Sequence, residues 1–269
     1  MARRITIIGF ALLALVAVGL FLTYIPKARL RASAEGSKNN LRELSLFAAH
    51  HANPDSKRDA SKFPSDIPPG TIHLPDVLPE DRLSWTVGVL PGVDQKKQNL
   101  ADLLARIDRT KPWAAEPNQQ AGRTRVVVFL CPENPPDGEG VTSYVGIGGV
   151  GPSAAGLPVG SPRAGAFRYD GPTPFAQITD GLSQTMLFAE TRANVGPWLR
   201  GGPSTVRGLD DAPGAPPLIG GQFGGYFPTG GHFAFCDGSV RTFSPRTSPQ
   251  VLLGFATIAG KGTDPLPGE

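Results

Sequence analysis

Four histidines are the first candidates for proton transfer or metal binding: His50, His51, His73 and His232. His50 and His51 are neighbours rather than four apart, so one helix face cannot turn both toward an ion. They read as a solvated helix end. Neither G-x-S-x-G nor H-E-x-x-H frames any of the four. Among the acids, Asp180, Glu190 and Asp237 are best placed for paired-carboxylate chemistry or for Ca²⁺, which takes clustered oxygens. Asp180-Gly181 and Asp237-Gly238 also carry turn chemistry: Asp bonds its own backbone, and Gly accepts positive φ. The turn is the plainer reading, and Ser183 and Thr185 are then expected to bond local backbone. Cys131 and Cys236 lie in no C-x-x-C, so zinc is not indicated. The two thiols could close a disulfide worth ~4–5 kcal/mol in the loop-entropy account, or stay buried as small hydrophobes. Residues 146–151 spell G-x-G-x-x-G, but a dinucleotide site needs a helix to open there, and Pro152 and Pro158 deny it one. No catalytic residue and no cofactor is expected, with Ca²⁺ the one ion left open.

What must position these groups is set by the first fifty residues. Residues 5–25 carry no charge, and at ~1.5 Å per residue they reach ~30 Å, the thickness of a bilayer core. Arg3 and Arg4 precede them, and Pro26, Lys27, Arg29 and Arg31 follow. The stretch predicts a transmembrane helix. A cleaved signal peptide and a buried core helix are the competing readings. Residues 26–53 predict a polar extension of that helix, with Leu41, Leu44 and Ala48 at helical spacing and Phe47 widening the stripe. The expected division is therefore a leader at 1–4, the span at 5–25, the extension at 26–53, a sheet domain at 54–260 and a flexible tail at 261–269.

The chain holds 34 Gly and 28 Pro in 269 residues, just under the ~25% at which low complexity sets in. They alternate with apolar runs, so short strands and long loops are expected. The net charge of +3 sits partly beside the apolar segment and gives weak reason to expect nucleic acid. Residues 83–91, 125–132 and 186–190 predict strands. Residues 99–107 and 248–257 predict helices, the second opened by Ser248-Pro249. Residues 232–243 read as a hairpin with Asp237-Gly238 in a two-residue turn. That register would pair Phe235 with Val240 and Phe233 with Thr242, placing one apolar side on the core. Trp85 and Phe235 are the expected core anchors.

Taken in order, six short motifs resemble a prepilin-like bacterial family of unknown function, domain of unknown function 1559, marked by a His-x9-Asp-Gly motif. They are Lys38-Asn39-Asn40-Leu41-Arg42, Ser84-Trp85 through Leu90-Pro91, Phe129-Leu130-Cys131-Pro132, Ser143-Tyr144-Val145-Gly146, the run from Asp180 through Gly181, Ser183 and Thr185, and Phe235-Cys236-Asp237-Gly238-Ser239-Val240-Arg241. The resemblance implies an α+β, pilin-like architecture: a long N-terminal transmembrane helix carrying a mostly antiparallel sheet head with long Gly/Pro-rich loops. It also implies a relation to type II secretion or pilus-like proteins, without established catalysis. The chain departs from the prepilin pattern at Arg4 and Gly9, where a Gly and a Glu would stand, so its processing site is degenerate. Ten residues before Asp237 stands Phe227 rather than the motif histidine.

The expected function is that of a membrane-anchored, pseudopilin-like structural or interaction protein of the inner membrane, with its head outside the cytoplasm. Its expected partners are the lipid bilayer, other pseudopilin-like subunits or envelope components. A reading from a different class is an envelope-tethered hydrolase or glycan-binding module that uses the Gly/Pro-rich loops at 146–165 and 196–225. A concave pocket with converging acids and His232 would favour the enzyme.

Overall fold

A computed structural model of the chain describes residues 2–50, 66–93, 100–212, 218 and 221–260. Helix α1 spans Ala2–His50. The membrane-spanning helix expected at 5–25 is corrected: among the described residues no helix is long and apolar enough to cross a membrane. The helix does not end with the apolar stretch. It runs on through Pro26 and carries Lys27, Arg29, Arg31, Glu35 and Lys38. Side chains at 2–18 lie outside the described ones, as do residues 51–65 and the expected tail at 261–269.

After α1 come β1 (Asp66–Ile67), α2 (Thr86–Val89), α3 (Ala101–Ala105), α4 (Asn118–Gly122), β2 (Tyr144–Val150), β3 (Thr173–Pro174), β4 (Met186–Glu190), β5 (Val206–Leu209), β6 (Gly231–Phe235), β7 (Val240–Phe243) and α5 (Pro249–Ala256). β1 and β3 form a small antiparallel pair. The main sheet has the order β5-β2-β4-β6-β7, with β5 parallel to β2 and the other pairings antiparallel. The fold is α+β with a mixed sheet.

Both faces of the sheet are covered, where the sequence suggested one. Tyr144, Phe188 and Ala234 face α1 and join a core that holds Leu41, Leu44, Trp85, Phe129, Phe167 and Trp198. Val145, Ile147, Phe233 and Phe235 face the other way, onto Leu252 and Ala256 of α5 and onto Phe223. This alternation is the period-2 geometry of a strand with two partners. Trp85 is the hub of the first core. Its ring lies 4.7 Å from Phe188 and 5.6 Å from Phe167, and its Nε1 donates to the Thr205 carbonyl at 3.0 Å.

Two expected strands are not strands. The 83–91 run forms α2 and a 3-10 turn at Leu90–Gly92, with Val87, Val89 and Leu90 all buried. A short apolar run covered on every side has no period that separates strand from helix. The 125–132 run bends into a 3-10 turn at Val127–Phe129. It meets the sheet through the Ser143 N–H on the Phe129 carbonyl at 2.7 Å rather than as a ladder.

The glycine run at 146–151 lies in and just after β2, not at a helix start. Its glycines let the 163–167 segment lie directly on the strand. A Cβ at Gly149, where φ is +119°, would collide with the Arg163 carbonyl oxygen. Phe167 N–H reaches the Ile147 carbonyl at 3.0 Å. The fingerprint is a packing feature.

The hairpin forms one residue out of the expected register. Ala234 pairs with Val240, Phe233 with Arg241 and His232 with Thr242. The loop holds three residues, Cys236-Asp237-Gly238, with φ +81° at Gly238. Phe235 N–H bonds the Ser239 carbonyl at 2.9 Å. Asp237 Oδ1 accepts from both the N–H and the hydroxyl of Ser239, which favours the three-residue bulged loop over the two-residue turn.

Candidate functional site

The densest set of reactive side chains lies where α1 crosses the sheet. Ser37, one turn before the apolar stripe begins at Leu41, points its hydroxyl at Glu190 Oε2, 2.8 Å away. Tyr144 OH lies 3.0 Å from Ser37 Oγ. Asn40 Nδ2 donates to Tyr144 OH at 3.3 Å and to the Leu130 carbonyl at 3.0 Å. Glu190, the last residue of β4, also accepts the backbone N–H of His232 on Oε1 at 3.1 Å. The His232 ring sits 2.8 Å by Nδ1 from Thr242 Oγ1 and 5.0 Å from the Phe227 ring. Its Nε2 has no hydrogen-bond partner among the described residues.

Burial governs the electrostatics. Ser37, Tyr144 and Glu190 are fully buried, and His232 nearly so. Desolvation raises the Glu190 carboxyl from 4.5 to about 7, partly opposed by the Ser37 hydroxyl and the His232 N–H. Desolvation, then the nearby Lys38 charge, lowers His232 from 6.5 to about 4. Burial pushes the Cys131 thiol up to about 12 and raises Cys236 and Tyr144 as well. A carboxyl near neutrality beside two hydroxyls has the makings of an acid-base group. Here it is closed beneath a helix, so what it does is hold α1 to the sheet.

Of the residues singled out in the sequence, Asp180, Gly181, Ser183, Thr185, Asp237 and Gly238 come together at the other end of β4 and β6. Asp237 N–H donates to the Leu182 carbonyl at 3.2 Å, and Cys236 N–H to the Thr185 carbonyl at 2.9 Å. Thr185 Oγ1 donates to the Gly181 carbonyl at 3.2 Å. Arg241 donates to the Ser183 carbonyl at 2.7 Å while its guanidinium lies 4.2 Å from the Phe235 ring centre. This cluster is a clasp between two turns. His232 is not part of it and belongs to the seam. His73 pairs with Asp170 on the surface at 3.6 Å.

Of the two states left open for the thiols, the buried free pair is the one found and the disulfide is not formed. Cys131 and Cys236 are free. Cys131 packs with Tyr226 and Phe227, and Cys236 lies in the core around Trp85. Among the described residues no group of three or more His, Cys, Asp or Glu is placed to hold a metal ion. Asp180, Glu190 and Asp237 do not form the oxygen cluster that Ca²⁺ would take.

One open cleft, of about 690 Å³, lies elsewhere, along the edge strand β5. Arg200, Arg207, Glu80, Tyr169, Ser153 and Asn194 line it. It falls between the two Gly/Pro-rich excursions, but no histidine and a single acid line it. Sequence reasoning missed Arg200 and Arg207. Arg207 lies in the Val-Arg-Gly-Leu run of β5, an alternation that could have been read as a short strand.

A long helix bound through a polar seam to a mixed, two-faced sheet, with a turn-turn clasp at the sheet's far end, is an α+β architecture. Within it the chain belongs to the family described as Protein of unknown function (DUF1559), SBP_bac_10, whose model matches residues 36–208. No curated protein and no solved structure matches the chain. The match opens at Gly36, inside the clasped part of α1, and closes in β5. It includes all the motifs except the hairpin's, and the His-x9-Asp-Gly motif is not shown. Phe227 stands at the place of that motif's histidine, with the His232 ring against it. The family motifs meet at the seam: Asn40 from the first, the Leu130 carbonyl and Cys131 from the third, Tyr144 from the fourth.

Proposed function

We propose that this protein is a non-catalytic, pseudopilin-like structural subunit that pairs with further copies of itself through the projecting arm of α1. The observation that carries the reading is the division of that helix. From Leu30 and Ala34 onward it packs on the head, whereas Phe21, Leu22, Tyr24 and Ile25 are exposed, Phe21 and Leu22 by about two thirds. Phe21 and Ile25 are four apart and share one face. Large apolar side chains adjoining on one helix face mark an interaction surface. The seam supports the same view, since its acid and hydroxyls are spent on fixing the arm rather than on an open site. The cleft lacks the paired acids that hydrolysis would need.

The test is site-specific crosslinking of the full-length chain. Leu22→Cys is oxidised with copper phenanthroline, and Leu78→Cys, on an exposed part of the head, is the control. The native thiols are buried and stay silent. A covalent dimer from Leu22→Cys alone is expected. Equal yields from both positions, or none from either, would overturn the reading.

A further inference from the structure

We infer that the cleft along β5 is a binding site for an acidic saccharide of the uronate type, its carboxylate held by Arg207 and Arg200. This site is separate from the α1 arm and does not depend on its pairing. Arg207 gives Nε to the Pro203 carbonyl at 2.7 Å, Nη1 to the Ala193 carbonyl at 2.7 Å and Nη2 to the Asn194 carbonyl at 2.5 Å. Those bonds fix the plane of the guanidinium and take three of its five N–H groups. They supply dipoles but no counter-charge, and among the described residues no carboxylate comes within ion-pair distance of Arg207 or Arg200. Burial holds the Arg207 charge at a cost, lowering its pKa from 12.5 to about 10.

Arg200 is fixed in a similar way. Its Nε bonds the Glu80 carbonyl at 3.1 Å and its guanidinium lies 5.3 Å from the Trp113 ring centre. Two guanidiniums held without an ion-pair partner line one cleft, and the guanidinium fork is the donor geometry that pairs with a carboxylate. The rest of the lining suits a sugar body. Ser153 and Asn194 can bond hydroxyls, and the Glu80 carboxylate can accept from them. Glu80 also offsets one positive charge, leaving the wall with one unbalanced cation, which fits one uronate carboxylate better than a phosphate dianion.

The test is calorimetric titration of the full-length protein with digalacturonate, with its uncharged methyl ester and with sodium sulfate. Saturable binding of digalacturonate is expected, weakened by added salt, with the ester at least about tenfold weaker. Arg200→Gln should weaken binding about tenfold, and Ser153→Trp, on the exposed rim, should abolish it by filling the cleft. Ser153→Trp is expected to melt as the wild type does, Arg200→Gln slightly earlier for the lost bond to the Glu80 carbonyl, and Leu22→Cys should bind unchanged. No heat with digalacturonate, equal binding of the ester, sulfate binding as tightly as the disaccharide, or an Arg200→Gln variant that binds normally would each overturn the inference.

Discussion

Replacing Glu190 by Gln should change how the stability of this protein depends on pH. In the unfolded chain the Glu190 carboxyl loses its proton near 4.5, whereas in the fold it keeps it until about 7. Between those values the native state binds more protons, so its stability falls as pH rises. At ~1.4 kcal/mol per unit, over roughly two and a half units, the loss reaches about 3 kcal/mol by pH 8. His232 acts in the opposite sense. Its folded pKa of about 4 lies below the ordinary 6.5, so it takes stability away as pH falls from 6.5 to 4. The two slopes overlap and cancel between about 4.5 and 6.5, and the wild type should be nearly flat there. Glu190→Gln keeps a hydrogen-bonding side chain in the seam but removes the first slope. Urea unfolding followed by tryptophan fluorescence at pH 5, 6 and 8 reads this directly. The stability of the variant relative to the wild type should rise by about 2–3 kcal/mol between pH 5 and pH 8. Hydrogen bonds lost to the amide shift all three points equally and drop out of that difference. A difference that is constant with pH would mean that Glu190 titrates at its ordinary value in the fold, and the account of a dry seam under α1 would be wrong.

Trp85→Ala should destabilise the protein by about 3–5 kcal/mol in the same urea assay, because it empties the centre of the aromatic core and removes one of the two donors to the Thr205 carbonyl, which keeps the Gly146 N–H at 2.8 Å. Gly149→Ala should prevent recovery of folded protein, since its Cβ would collide with the Arg163 carbonyl at a positive φ. Gly156→Ala, with nothing within 4 Å, should melt within about 0.5 kcal/mol of the wild type. With Ellman's reagent, neither Cys131 nor Cys236 should react in the native protein and both should react in denaturant; slow release of one thiol under native conditions would place it nearer the surface than the fold does.

Much of the framework was written locally in the chain. The stripe of Leu41, Leu44 and Ala48 marked the packed part of α1, and all three are buried. The apolar alternation around Phe233 and Phe235 marked a hairpin, Pro249 opened α5 where expected, and Trp85 and Phe235 are core residues. These features rest on periodicity and turn chemistry, which act over a few residues. The hairpin register was out of reach because Ser239 gives two bonds to Asp237 and lengthens the loop. The expected strand at 83–91 failed because a run buried all round has no polar face to reveal its period, and the one at 125–132 because the chain turns at Val127–Phe129.

What the tertiary structure alone decided is the company each group keeps. Nothing near Glu190 in sequence announces a carboxyl titrating near neutrality; burial beneath the covering helix makes it so, against the pull of the Ser37 hydroxyl 153 positions away. Cys131 and Cys236 could have met and do not. Arg200 and Arg207 become a site only because the backbone curls its own carbonyls around one of them and opens a cleft beside both. Propensity is a property of neighbours along the chain, whereas desolvation and charge balance are properties of neighbours in space. For this protein the packed part of α1, α3, α5, the hairpin and the main core anchors were legible in advance, whereas α2, α4 and the chemistry were not.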